Sequence, residues 1–226
     1  MNDQVTPAET SEILRLATSC LEISGDFVEL GCYRGDTSVL LGKLLQKHAT
    51  CGKPVDNLCR NTNDIVEKQC KTSPNKPESV SSTPVKRLWI YDSFAGLPDK
   101  TLEDSSGAGQ NFQAGELFVT KREVIAKIRK NNLHNIIVKK AWFNDLTDKD
   151  LPSEIAFAFC DGDLYSSIKT SLKLVAPRLA QRGTIIVHDY NNPELPGSAR
   201  AVDEFLHSHP NFQLKVRHTL AILQLK

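Results

Sequence analysis

The sequence contains no G-x-G-x-x-G, so the usual dinucleotide turn is missing and no pyrophosphate has to be cradled on a helix N-terminus. It also lacks an excess of either charge. The 28 basic and 27 acidic residues nearly cancel, without a long run of one sign, which excludes the electrostatic footprint of a nucleic-acid binder. No apolar run reaches the roughly 18 residues of a membrane span. A charged-then-apolar leader is absent too, so the expectation is a cytoplasmic protein with neither membrane nor nucleic-acid partners. Six cysteines (Cys20, Cys32, Cys51, Cys59, Cys70, Cys160) include no C-x-x-C pair. Cys32 and Cys160 have core-like surroundings, where a thiol acts as a small apolar group. The spacings of Cys51, Cys59 and Cys70 match no common zinc pattern, and disulfides are not expected in a reducing compartment.

What is present is an alternation of apolar strands and amphipathic helices over 226 residues, enough for one α/β domain with a substantial core. Thr6-Pro7-Ala8-Glu9 opens a helix as a capping box, with Ile13, Leu14, Leu16, Ala17, Leu21 and Ile23 as its apolar face. Strands are expected near 26–31, 86–92, 135–139, 155–160 and 183–187. Helices are expected from Asp36 to about His48, over 119–131, from Ser166 to Leu179 and over 199–207. Phe212 to Val216 and Leu220 to Leu225, joined by a short turn, form an antiparallel pair. Residues 49–84 are rich in threonine, serine and proline and poor in large apolar groups. Such a composition reads as a disordered insertion within a single domain spanning 1–226, with a short helix near 64–70. The alternation predicts a mostly parallel, seven-stranded Rossmann-like sheet, helices on both faces, and an antiparallel C-terminal edge strand.

The chemistry-bearing residues fall at strand tips. Asp26-Phe27-Val28-Glu29-Leu30-Gly31-Cys32-Tyr33-Arg34-Gly35-Asp36 is a buried strand ending in an acid, then a glycine-punctuated turn, then a helix. That E-x-G-x-x-x-G order is the usual approach to an S-adenosylmethionine (SAM) site. Glu29 can take the methionine ammonium, and Gly31 and Gly35 let the backbone come close to a ligand. Asp92, at the tip of the second strand, is placed for ribose hydroxyls. Trp142 and Phe143 read either as the wall of an adenine pocket or as core aromatics, and the long loop after Pro98, including 101–115, either as an active-site lid or as a plain connection.

Strand four ends in Asp161-Gly162-Asp163 and strand five in His188-Asp189. Three carboxylates and an imidazole at one sheet edge raise each other's pKa unless a cation sits among them, and a hard divalent ion suits oxygen ligands. A hydroxyl is too weakly acidic to attack a sulfonium methyl unaided. An ion to polarise it and a carboxylate to take its proton answer that need.

The stretches Asp26–Gly35, Tyr91–Pro98, Trp142-Phe143, Asp161-Gly162-Asp163-Leu164-Tyr165-Ser166-Ser167, His188-Asp189-Tyr190 and Ala201–Phe205 together resemble the macrocin O-methyltransferase (TylF) family, in order, over about 26–225. That family comprises magnesium- and SAM-dependent enzymes that methylate hydroxyls, notably of deoxysugars. The resemblance implies Asp163 as general base and Asp161 and Asp189 as ligands of Mg2+ (or Mn2+). It implies a SAM site from Glu29, Gly31, Asp92 and Ser93, with Tyr33, Arg34, Phe94, Trp142, Phe143 and Asp161 around it. It also implies a homo-oligomer, a dimer or larger. The family usually carries two consecutive aspartates where this chain has His188-Asp189. A ligating His188 favours softer ions such as manganese or zinc. A catechol-type acceptor, or a SAM-binding protein without turnover, are the alternative readings.

Overall fold

Residues 5–51, 86–105 and 112–226 are described in the computed structural model. Seven strands, β1 (Asp26–Leu30), β2 (Leu88–Asp92), β3 (Ile136–Lys140), β4 (Ile155–Cys160), β5 (Leu179–Val187), β6 (Phe212–Arg217) and β7 (Leu220–Leu225), make one sheet in the order β3-β2-β1-β4-β5-β7-β6. The first five run parallel, and β7 is antiparallel to both β5 and β6. The reversed C-terminal strand therefore lies one place in from the edge, with β6 outermost.

Period-two alternation assigns side chains to the two faces. Phe27 of β1, Phe157 and Phe159 of β4 and Ile186 of β5 pack with α1 (Pro7–Ser19), α2 (Asp36–Cys51) and α3 (Lys121–Lys130). Val28, Leu30, Ala158, Cys160, Ile185 and Val187 pack with α4 (Tyr165–Val175) and α5 (Pro196–Ser208). Both faces are covered, which is why β4 is buried at every position.

The helix starts follow local chemistry. Thr6 and Thr120 each accept from the backbone N–H three residues on, and Glu9 and Glu123 return the bond, completing capping boxes on α1 and α3. The box on α3 went unread in the sequence. The helix expected to run to Leu179 stops at Val175. Pro177 has no N–H to continue the ladder and its ring crowds the preceding turn, so 176–178 tighten into a 3-10 turn and β5 begins at Leu179. The insertion read at 49–84 begins inside α2, which runs to Cys51. From residue 52 onward, with its short helix near 64–70, it lies outside the described residues, as does the middle of the 101–115 loop. No helix among the described residues is long and apolar enough to cross a membrane.

Crossovers leave β1 toward β2 and β3 on one side and β4 toward β5 on the other. The switch lies between β1 and β4, whose tips Leu30 and Cys160 are paired. Open α/β sheets bind ligands outside the strand ends at such a point.

Candidate active site

A cavity of about 310 Å3 opens at that switch point. Its wall includes Gly31 and Tyr33 after β1, Asp92 and Ser93 after β2, Trp142 and Phe143 after β3, and Asp161 and Asp163 after β4. Four aspartates (Asp92, Asp99, Asp161, Asp163) and no lysine or arginine are among the described lining residues. Such a wall repels phosphates and suits a ligand carrying positive charge.

Of the residues expected to hold a cofactor, Gly31, Tyr33, Asp92, Ser93, Trp142, Phe143 and Asp161 line this cavity, whereas Glu29, Arg34 and Phe94 do not. Glu29 lies on the α2 face of β1, fully buried, and its Oε2 accepts from the Ser38 hydroxyl at 2.5 Å. Its Oε1 is buried without a hydrogen-bond partner. Burial, ahead of the charges of Asp161 and Asp92, pushes the Glu29 carboxyl up to about 8 although the Ser38 bond opposes it. Glu29 thus keeps one buried acceptor unfilled without itself reaching the cavity wall. Arg34 is exposed with its guanidinium over the Tyr33 ring, 5.1 Å from the centroid. Phe94 is buried in the core beneath α1, α2 and α3.

Asp92 does more than face the cavity. Its Oδ2 accepts the backbone N–H of Cys32 at 2.9 Å and of Tyr33 at 3.3 Å, and its Oδ1 accepts that of Phe94 at 2.7 Å. The carboxylate thus fastens the turn after β1 to the turn after β2, which brings Tyr33 and Ser93 into one wall. The glycine at 31 has a reason other than ligand approach. Its φ is +88°, and a Cβ there would lie 1.9 Å from the carbonyl oxygen of Asp161, so β1 and β4 could not run on side by side. At Gly35 the constraint is the backbone, whose φ of +74° lies in the left-handed region that favours glycine.

The acids at the tips of β4 and β5 do converge. Nδ1 of His188 is 2.9 Å from Oδ1 of Asp161 and 2.9 Å from Oδ2 of Asp189. One donor atom from each of Asp161, His188 and Asp189 lies within 4.8 Å of the others. The two 2.9 Å separations match neighbouring ligands of an octahedral ion, which bonds of about 2.1 Å place about 3 Å apart. Asp161 faces the cavity, while His188 and Asp189 stand behind it. Burial works against a charged His188 ring. The Asp161 charge, with bonds to Asp161, Asp189 and Glu9, outweighs it and holds the imidazolium well above the usual histidine range.

Asp163 has φ +59°, lines the cavity and is buried. Burial first, then the charges of Asp161 and Asp189, keep its carboxyl well above the ordinary carboxylate range, and His188 pulls it partly back. A base of this kind becomes useful when positive charge arrives beside it.

The loop after Pro98 is pinned by residues the sequence did not single out. Oδ1 of Asp104 accepts the Tyr165 N–H at 2.7 Å, capping α4 from a distant segment because Leu164 offers no side-chain oxygen. Oδ2 of Asp104 accepts from both the backbone and the hydroxyl of Thr101, and Arg200 donates to the Glu103 carbonyl at 2.7 Å. The sequence signal was present: Thr101-Leu102-Glu103-Asp104 has a capping-box pattern.

Comparison with known proteins bears on the family and the fold. Residues 79–216, more than half of the chain, match the family model of macrocin-O-methyltransferase (TylF). The 8-demethyl-8-(2,3-dimethoxy-alpha-L-rhamnosyl)-tetracenomycin-C 4'-O-methyltransferase of Streptomyces olivaceus is 25% identical over 174 residues, which are 74% of this chain and 54% of that protein. The demethyldecarbamoylnovobiocin O-methyltransferase of Streptomyces niveus is 26% identical over 190 residues, 81% of this chain and 58% of that protein. The chain thus spans little more than half the length of these curated relatives. Among solved structures, the O-methyltransferase NovP superposes with a TM-score of 0.69 at 21% identity, covering 96% of this chain and 80% of that one. The calicheamicin methyltransferase CalS11 gives 0.68 at 17% identity, over 97% and 80%. At such identities these two structures speak for the fold alone. The family match, joined to the sheet order and the acid cluster at its switch point, places the chain in the macrocin-O-methyltransferase (TylF) family.

Proposed function

We propose that the chain is a SAM-dependent O-methyltransferase that methylates a hydroxyl of a small molecule, a sugar moiety of a metabolite or natural product, with a divalent ion at Asp161, His188 and Asp189. The observation that carries this reading is the cavity wall: acidic, free of lysine and arginine among its described residues, and holding a buried carboxylic acid at Asp163. A sulfonium with an ammonium is a ligand such a wall attracts, and Asp163 is the buried carboxyl that can accept the proton. The rhamnosyl group in the name of the Streptomyces olivaceus relative's activity supports the choice of a sugar-bearing acceptor.

Bound SAM supplies an activated methyl group, and a divalent ion supplies a Lewis acid that lowers the acidity barrier of a hydroxyl. The chain's own residues do the remainder. Tyr33, Ser93, Trp142 and Phe143 shape the cavity for a nucleoside, and the Asp92 bonds keep two of its turns in register. Asp163 takes the hydroxyl proton as the oxygen attacks, its carboxyl brought down by the positive charge gathered in the site. Holding acceptor oxygen and methyl in line removes much of the entropic barrier.

A second reading has a specific observation behind it. Nδ1 of His188 lies 2.9 Å from a carboxylate oxygen of each of Asp161 and Asp189. A protonated ring there supplies one positive charge without an ion, in a protein that binds SAM but works without metal or not at all. Calorimetric titration of SAM, alone and with Mg2+ or Mn2+, separates the two, followed by methyl transfer to a panel of sugar-bearing and catechol acceptors. Saturable ion binding and ion-stimulated methylation of a sugar hydroxyl uphold the proposal. SAM binding with no ion response selects the second reading, and no SAM binding defeats both.

A further inference from the structure

His188 has two ring nitrogens, and the site above uses only Nδ1. The period-two alternation of β5 puts His188 on the same sheet face as Ile186, the α1 side. There Nε2 meets Glu9, whose Oε2 is 3.7 Å away, an ion-pair distance longer than a hydrogen bond. Both residues are almost wholly buried, Glu9 at 2% exposure and His188 at 4%.

A carboxylate at that depth is costly unless fully bonded, and Glu9 is. Its Oε2 accepts the Thr6 N–H at 2.9 Å and the Thr6 hydroxyl at 2.7 Å. Its Oε1 accepts the N–H and the hydroxyl of Thr219, in the turn between β6 and β7. Glu9 also falls in the apolar stripe of α1, in helical phase with Ile13, Leu16 and Ala17. A capping-box glutamate needs only the bonds to Thr6. The burial, the second anchor at Thr219 and the facing imidazole are beyond what a cap requires.

We propose that Glu9 is a positioning residue for His188: its carboxylate, fixed at both ends, takes the Nε2 side of the ring and turns Nδ1 toward the oxygens of Asp161 and Asp189. A histidine that ligates an ion through one nitrogen commonly gives the N–H of the other to a carboxylate, which sets tautomer and orientation. The edge-on Phe159 ring, 6.2 Å from His188 between centroids, restricts the imidazole further. Ion affinity enters through the metal-assisted reading above. Ring orientation does not, and it can be measured without any ion.

The test compares the full-length protein with Glu9→Gln and with Ile13→Val. Glutamine keeps the shape and the cap, yet its amide can turn an N–H toward Nε2 and so favour the wrong tautomer. Ile13→Val loosens α1 without touching the charge. Ring nitrogen NMR of His188 is recorded in ion-free protein, and Mn2+ affinity is measured by calorimetry. Nε2 should be protonated in the native protein and in Ile13→Val. In Glu9→Gln a substantial fraction should shift its proton to Nδ1 alone, with Mn2+ affinity falling about 10- to 100-fold. An unchanged ring spectrum in Glu9→Gln overturns the proposal, as does an equal change in Ile13→Val. If the native protein binds no Mn2+, the metal-assisted reading fails while the ring spectrum still decides the role of Glu9.

Discussion

Nδ1 of His188 sits 2.9 Å from Oδ1 of Asp161, so a proton on that nitrogen would stand where an ion shared by the two residues would bind. Ion and proton therefore compete for one nitrogen. Because the ring is held charged well above the usual histidine range, ion binding must expel a proton throughout the neutral region. Mn2+ affinity should rise about tenfold per pH unit between pH 6 and 8. A flat profile in calorimetry would remove Nδ1 from the ligand set.

His188→Asp exchanges the ring for a third carboxylate facing Glu9 and Asp161. Without ions the variant should melt below the native protein, because buried like charges face one another. Added Mg2+ should restore stability and bind more tightly than to the native chain, since Mg2+ prefers oxygen. Equal Mg2+ response in both proteins would put residue 188 outside the ion's coordination.

Asp163→Asn keeps the shape of the cavity wall and deletes the proton acceptor. SAM affinity should stay near native while methyl transfer falls by a factor on the order of a hundred or more. Near-native turnover would take Asp163 out of the base role.

Glu29 makes stability pH-dependent. Its ordinary value of 4.5 is raised to about 8 by burial, so the folded state holds that proton more tightly than the unfolded chain. The contribution is complete below about 4.5 and is lost as pH rises through about 8. Urea midpoints should decline over that window in the native protein and much less in Glu29→Gln. Parallel declines in the two proteins would refute the assignment.

Asp104→Ala leaves the N–H groups of Tyr165 and Thr101 without their acceptors, at a cost of about 1–3 kcal/mol for a buried group. Because those bonds hold the loop after Pro98, acceptor KM should rise several-fold with SAM affinity little changed. Gly197→Ala attacks the same contact from α5, since a Cβ there would lie 1.9 Å from Oδ1 of Asp104. Kinetics that change equally for SAM and acceptor would mean the loop does not shape the acceptor side.

Much of this molecule is legible in its sequence, because strand and helix periods are local properties. Ile155–Cys160 reads as a doubly covered strand and is one, and the acids after β4 and β5 had to share an edge once the sheet was parallel. The end of α4 at Val175, short of Leu179, is local too, because Pro177 cannot continue the helical ladder. Alternation sends Glu29 under α2, behind the cavity, while Asp161 beyond the tip of β4 faces into it.

Composition and pattern by themselves determined the fold class, the order of the strands along the chain and the set of carboxylates available for chemistry. Only the tertiary structure decided which groups meet. Glu9 and Thr219 are 210 positions apart, and Asp104 and Tyr165 are 61 apart. Each pair closes because packing onto the sheet fixes the elements that carry its two members. Local periodicity holds no information about such contacts: they depend on where a helix lands, and burial then sets the charge state of whatever lands there.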